Sequence, residues 1–162
     1  MSDAPKKAGS RERVRAFLED HGLAESIFEF EQSTKTAQMA ADAMGCELGQ
    51  IVKSLVVVVD GETPCVALVA GDRKGDMHAI ASEMAGSHAR MADADTVRQA
   101  TGYAIGGVSP FALPEELAVL FDDSLIRFDT VYPAAGTPAS MVRMSRDELL
   151  AMSHGRVARI SV

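Results

Sequence analysis

Residues 52–59 read VKSLVVVV, and a run so rich in valine leaves few structural choices. β-Branched side chains favour an extended backbone, and the lack of polar alternation means that both faces of the strand are covered. Asp60-Gly61 follows, a pair suited to a two-residue turn, and CVALVA (residues 65–70) returns as the partner strand. A hairpin buried on both faces needs helices packed over it, so the chain reads as α/β.

The remaining pattern supplies those helices. Ser10 is expected to cap a helix to about His21, with Val14, Phe17 and Leu18 on one face and Gly22 as its stop. Thr36 should cap AQMAADAM before Gly45, and Ser145 should cap RDELLAM. Met39 and Met44 fit one face of the first of these, as core filler. MHAIASEMAG and DADTVRQATG are two further helical stretches. SIFEFE, ARMAD, MVRM and RVARISV read as strands, and LAVLFDDSLIRF as a strand running into a helix. Hairpins mixed with crossovers imply a mixed sheet, curved or barrel-like. At 162 residues the chain is expected to be one domain, residues 10–162, behind a flexible tail of residues 1–9.

Composition excludes several classes of function. A net charge of −7 argues against broad, non-specific nucleic-acid binding, although a local basic patch could still receive one nucleic-acid end. Cys46 and Cys65 form neither a disulfide framework nor a metal motif, and His21, His78, His88 and His154 lack ligand spacing, so no metal or other cofactor is expected. No apolar run approaches the roughly 20 residues of a membrane span. The N-terminal residues have no secretory pattern, and a soluble, cytoplasmic protein is expected.

Two features point to chemistry. Lys53 opens an otherwise apolar strand, where it either snorkels to solvent or meets an anionic or carbonyl group at a pocket rim. The stretch TGYAIGGVSPFALP (101–114) places Gly106, Gly107, Ser109 and Pro110 in one loop. Such a loop is either a tight turn or a cradle of backbone N–H groups for an oxyanion or phosphate. Ser109 lacks the surroundings of a nucleophile and reads as a turn residue. Arg73 and Lys74, in GDRKGD, form either a solvated turn or a phosphate contact. Neither cysteine has an evident activating partner, which leaves a thiol hydrolase remote.

Taken in order, the strand lysine, the G-D-x-K turn after the next strand and TGYxxGGxSP resemble the YbaK / prolyl-tRNA-synthetase-associated editing domain family, from about Phe28 to the C-terminus. The resemblance implies a six- or seven-stranded, mixed, barrel-like sheet surrounded by helices. It also implies hydrolysis of the ester on a mischarged tRNA, with Ala-tRNA(Pro) or Cys-tRNA(Pro) as substrate and prolyl-tRNA synthetase as a possible partner. Lys53, Gly106, Gly107 and Ser109 correspond to the family's functional lysine and loop, and a ribose hydroxyl of the terminal adenosine assists water. Ser54, Thr34, Pro110, Arg73 and Lys74 become substrate-binding positions by the same likeness. The YbaK branch has a tyrosine at the end of its first strand and an acid near position 141. Phe30 and Met141 stand there in this chain, which is more similar to the stand-alone branch related to the synthetase insertion domain. A non-catalytic module that binds a tRNA end, a nucleotide or a synthetase is the rival reading.

Overall fold

The structure, a computed structural model, describes residues 9–31 and 36–162. The valine-rich run forms strand β2 (Val52–Val59), paired antiparallel with β3 (Thr63–Ala70). Three residues join the strands, and Asp60 and Gly61, at positive φ of 53° and 75°, are the central pair of a turn closed by the Glu62 N–H on the C=O of Val59 at 3.2 Å. The Asp60 carboxylate also accepts the N–H groups of Ser87 and His88, tying the turn to the next segment.

Around this hairpin lies a five-stranded mixed sheet in the order β4-β2-β3-β5-β9, with β4 at Ala89–Met91, β5 at Ala118–Asp122 and β9 at Arg156–Ala158. β4 is antiparallel to β2, whereas β5 and β9 run parallel to β3. Two short ladders stand beside it. β1 (Ile27–Glu29) pairs with β7 (Ser140–Val142), and β6 (Thr130–Val131) pairs with β8 (Met144–Ser145). The mixed α/β class is as expected, but the largest sheet has five strands rather than six or seven, and no sheet among the described residues closes on itself. MVRM is divided between two ladders: the N–H of Arg143 donates to the C=O of Ser26 and prolongs the β1 pairing, whereas Met144 and Ser145 pair with β6.

Period-two alternation sorts the hairpin into two cores. Val52, Val56 and Val58 face Val14 and Leu18 of α1 (Ser10–Asp20), Val97 of α4 (Ala94–Thr101) and Leu149 of α5 (Arg146–Ser153). Val57 and Val59 face Ile80 and Ala81 of α3 (Met77–Glu83). The sheet is therefore covered on both sides, which explains the missing alternation in the sequence.

The helix caps divide. Thr36 accepts the N–H of Met39 and starts α2 (Ala37–Met44), which ends on Gly45 at φ 67°. Ser145 and Glu148 form a reciprocal capping box on α5. Ser10, by contrast, is the first helical residue of α1, because the C=O of Gly9 already accepts the N–H of Arg13. Of the expected tail, residues 1–8 lie outside the described residues. Met39 is also exposed rather than core, so α2 buries Ala40 and Ala41 instead. Among the described residues no helix is long and apolar enough to cross a membrane.

Candidate active site

The sheet opens where β4 leaves β2. β4 pairs with residues 57–59, and the N–H of Ala92 adds a bond to the C=O of Val56 at 2.9 Å. Below, the N–H of Val52 donates to Tyr132 at 3.1 Å. Residues 53–55 have no strand partner on that side among the described residues. Antiparallel bonding directions alternate, so Ser54, midway between Val52 and Val56, turns its N–H and C=O away from β3 and into the gap.

A cleft of ≈ 340 Å³ occupies this gap. One wall is Lys53, Ser54 and Leu55 of β2, with Met91 and Ala92 at the end of β4. Ile105, Gly106 and Val108 bring in the glycine loop, and Thr137, Pro138 and Met141 come from the approach to β7 and from β7 itself. Lys53 and the loop, far apart in sequence, thus meet at one cavity.

Lys53 lies on the α3 side of the sheet, and its Nζ donates to the C=O of Arg73 in the GDRKGD loop. Burial holds its ammonium below the ordinary lysine value, with Asp72 opposing that shift and Lys74 adding to it. Asp72 is meanwhile clamped by Arg127 through two bonds of 2.7 and 3.0 Å, which hold its carboxyl low. The Ser54 hydroxyl is buried and has no hydrogen-bond partner. Its polar neighbours on the wall are engaged: Thr36 caps α2, and the hydroxyls of Thr137 and Ser140 bond each other at 2.7 Å.

The glycine loop is a built object. The N–H of Gly107 donates to the C=O of Ala104 at 3.0 Å, closing a four-residue turn in which Gly106 takes φ 86°. A positive φ at the third position is the type II pattern, which selects glycine. Gly107 thereby spends its N–H inside the turn, and Ile105 and Gly106 are the turn residues on the cleft wall. Tyr103 anchors the assembly from below: it is fully buried, its hydroxyl donates to the C=O of Phe111 at 2.5 Å, and Arg13 lies 4.2 Å over its ring. Ser109 and Pro110 are buried and are not on the cleft wall; the Ser109 Oγ accepts the N–H of Phe111 at 3.4 Å, a turn-holding contact.

An alanine at position 106 would meet no atom within 4 Å, so only the backbone resists it. Gly106→Ala is expected to cost about 1 kcal/mol of stability through the positive φ. Thermal melting checks that, and Gly106→Asn, which tolerates this region, should recover most of it.

Arg73 and Lys74 are exposed. Arg73 lines a separate cleft with Arg127 and Arg159, while Lys74 pairs through its backbone with Val162. The loop reaches the main cleft through the C=O of Arg73, which holds Lys53, and through the N–H of Gly71, which donates to the C=O of Ile51 on the cleft wall at 2.7 Å. Thr34 lies outside the described residues. Burial pushes the Cys65 thiol up to about 11, and burial with the neighbouring Glu47 charge raises Cys46, so neither is a thiolate near neutrality. Met91, Ile105 and Tyr103 were not singled out in the sequence; for Tyr103 the TGY triplet just after a helix was the available signal.

The chain is similar to known proteins in sequence and in fold. Residues 31–152 match the model of the aminoacyl-tRNA editing domain family. The chain is 35% identical over 148 residues to the uncharacterised YwhH of Bacillus subtilis, covering 91% of this chain and 94% of that protein. It is 29% identical over 140 residues to the multifunctional Ser/Thr-tRNA deacylase ProXp-y of Escherichia coli, covering 84% and 83%. A crystal structure described provisionally as a trans-editing enzyme for prolyl-tRNA synthetase superposes with a TM-score of 0.86 at 36% identity, over 96% of this chain and 98% of the other.

Proposed function

The chain belongs to the aminoacyl-tRNA editing domain family, and on that premise we propose that it is a trans-acting aminoacyl-tRNA deacylase. Its reaction is hydrolysis of the ester between a wrongly attached small amino acid and the 3′ end of a tRNA. Water adds to the ester carbonyl carbon, and the carbonyl oxygen takes up negative charge. Collapse of that intermediate breaks the bond to the ribose oxygen, and a proton restores the ribose hydroxyl as the free amino acid leaves.

The observation that carries this reading is the convergence of Lys53, the unpaired main chain of Ser54 and the glycine loop on one cleft. An activated ester needs chiefly positioning and donors aimed at the developing oxyanion. The Ser54 N–H and the main chain of Gly106 are the donors assigned here, with Gly107, Ser109 and Pro110 holding the loop in shape. Lys53 supplies the positive charge for the 3′-terminal phosphate or the ester's polar edge, and a ribose hydroxyl of the substrate positions water. Ser54 and Thr34 shape the acyl site, and Arg73 and Lys74 flank the incoming strand. Alanine on tRNA(Pro) is the assigned acyl group and cysteine the second, with prolyl-tRNA synthetase as the source of the error and the cytoplasm as the place of work.

The test is deacylation of Ala-, Cys-, Ser- and Pro-tRNA(Pro) by the purified protein. Release of one small amino acid well above the rate for proline is expected. Binding of all four without turnover would replace the deacylase with a binding module.

A further inference from the structure

Two large apolar side chains at the main cleft are left in water. Ile105 is 58% exposed and Met91 50% exposed, both line the cleft, and neither joins a core cluster. Scattered exposed apolar residues are ordinary, but two from separate elements on one cavity are a patch with a purpose. Met91 stands opposite Val57 in the ladder, hence on the same face as Leu55 and Lys53. Ile105 occupies the corner of the type II turn, a place that usually goes to proline or a polar residue. The turn held by Gly106, Gly107 and Tyr103 therefore projects an aliphatic side chain beside the cleft.

We propose that Met91 and Ile105 together clamp the terminal nucleobase of the tRNA. This rests on the deacylase reading above. A single ribose separates the scissile ester from that base, so seating the acyl group in the cleft brings the base to its mouth. Single-stranded bases bind by stacking their faces on aromatic or apolar side chains. Among the described residues no aromatic side chain lines this cleft, the exposed Phe28 included, which leaves aliphatic residues to do the stacking.

The experiment pairs two substrates with two enzymes. The substrates are an aminoacylated acceptor-stem RNA ending in adenosine and the same RNA with an abasic terminal ribose. The enzymes are wild type and Met91→Ala/Ile105→Ala, with thermal melting to verify the fold. Wild type should be slower on the abasic RNA by roughly 10- to 100-fold in kcat/KM. The double variant should lose about as much on the adenosine-ended RNA and less than about 3-fold on the abasic one, since the partner group is already gone. Ile105→Phe should retain the wild-type preference for the base. Equal losses on both substrates, or none on either, would overturn the clamp while leaving the deacylase intact. A wild-type enzyme that cleaves neither RNA would overturn the deacylase reading and the clamp with it.

Discussion

Lys53→Ala should lower kcat/KM for deacylation by roughly 100- to 1,000-fold, the range seen when one preorganised electrostatic contact to a reacting group is removed. Lys53 is well placed for such an effect. It stands at the unpaired stretch of β2, lines the cleft and is held by the carbonyl of Arg73. Its side chain is not part of either hydrophobic core, so the variant should melt within about 3 °C of wild type. Lys53→Arg should not rescue, because a planar guanidinium cannot take the place of a compact ammonium bound end-on to one carbonyl. Burial lowers the lysine's pKa, so the enzyme should lose activity on the alkaline side sooner than an ordinary lysine would dictate, once spontaneous ester hydrolysis is subtracted. Single-turnover hydrolysis with saturating enzyme reads the effect directly, and a loss below about 3-fold would remove Lys53 from the machinery.

The second large effect concerns stability and lies away from the cleft. Asp122, at the end of β5, is fully buried. One carboxylate oxygen accepts the N–H of Ile160 at 2.9 Å, and the other accepts the Ser161 hydroxyl at 2.7 Å and the N–H of Ser124 at 3.1 Å. Asp122→Ala strands those donors and is expected to cost about 3–5 kcal/mol, lowering Tm by about 10 °C. Burial alone would raise this carboxyl's pKa, yet the hydrogen bonds from Ser124, Ser161 and Ile160 outweigh it and leave the group below its ordinary value. The sign follows from that depression. The stabilisation is complete above the unfolded-chain value of about 4 and is lost as pH falls through the lower folded value. Melting followed from pH 7 to pH 2 should therefore show a steeper acid limb in wild type than in Asp122→Ala. Coincident acid limbs would mean that the carboxylate carries no such stabilisation.

These two residues also mark what could be seen from sequence. Lys53 was visible because a charge interrupts an apolar run, and the hairpin, the Thr36 cap and the Ser145 box were visible because each is decided within a few neighbouring residues. Asp122 was not, because FDDSLIRF offers two adjacent aspartates and only the distant C-terminal segment decides which is buried. The β1–β7 and β6–β8 pairings escaped for a similar reason: SIFEFE and MVRM read as strands, but nothing local says that Ile27 meets Val142, and β6 has only two residues. At the site, GG-x-SP marked a shaped loop, but the division of labour within it depends on which N–H closes the turn. That choice left Gly107 internal and Ile105 outside.

The unpaired stretch of β2 has a consequence for solubility. Half-buried strand backbone without a strand partner at residues 53–55 is a place onto which a second chain could add, and natural sheets guard such places with an inward or edge lysine. Lys53 sits there. The residue proposed to serve the ester in the cleft would thus also discourage two molecules from zipping together along it, and a chain that gave up the reaction would still be under pressure to keep the charge.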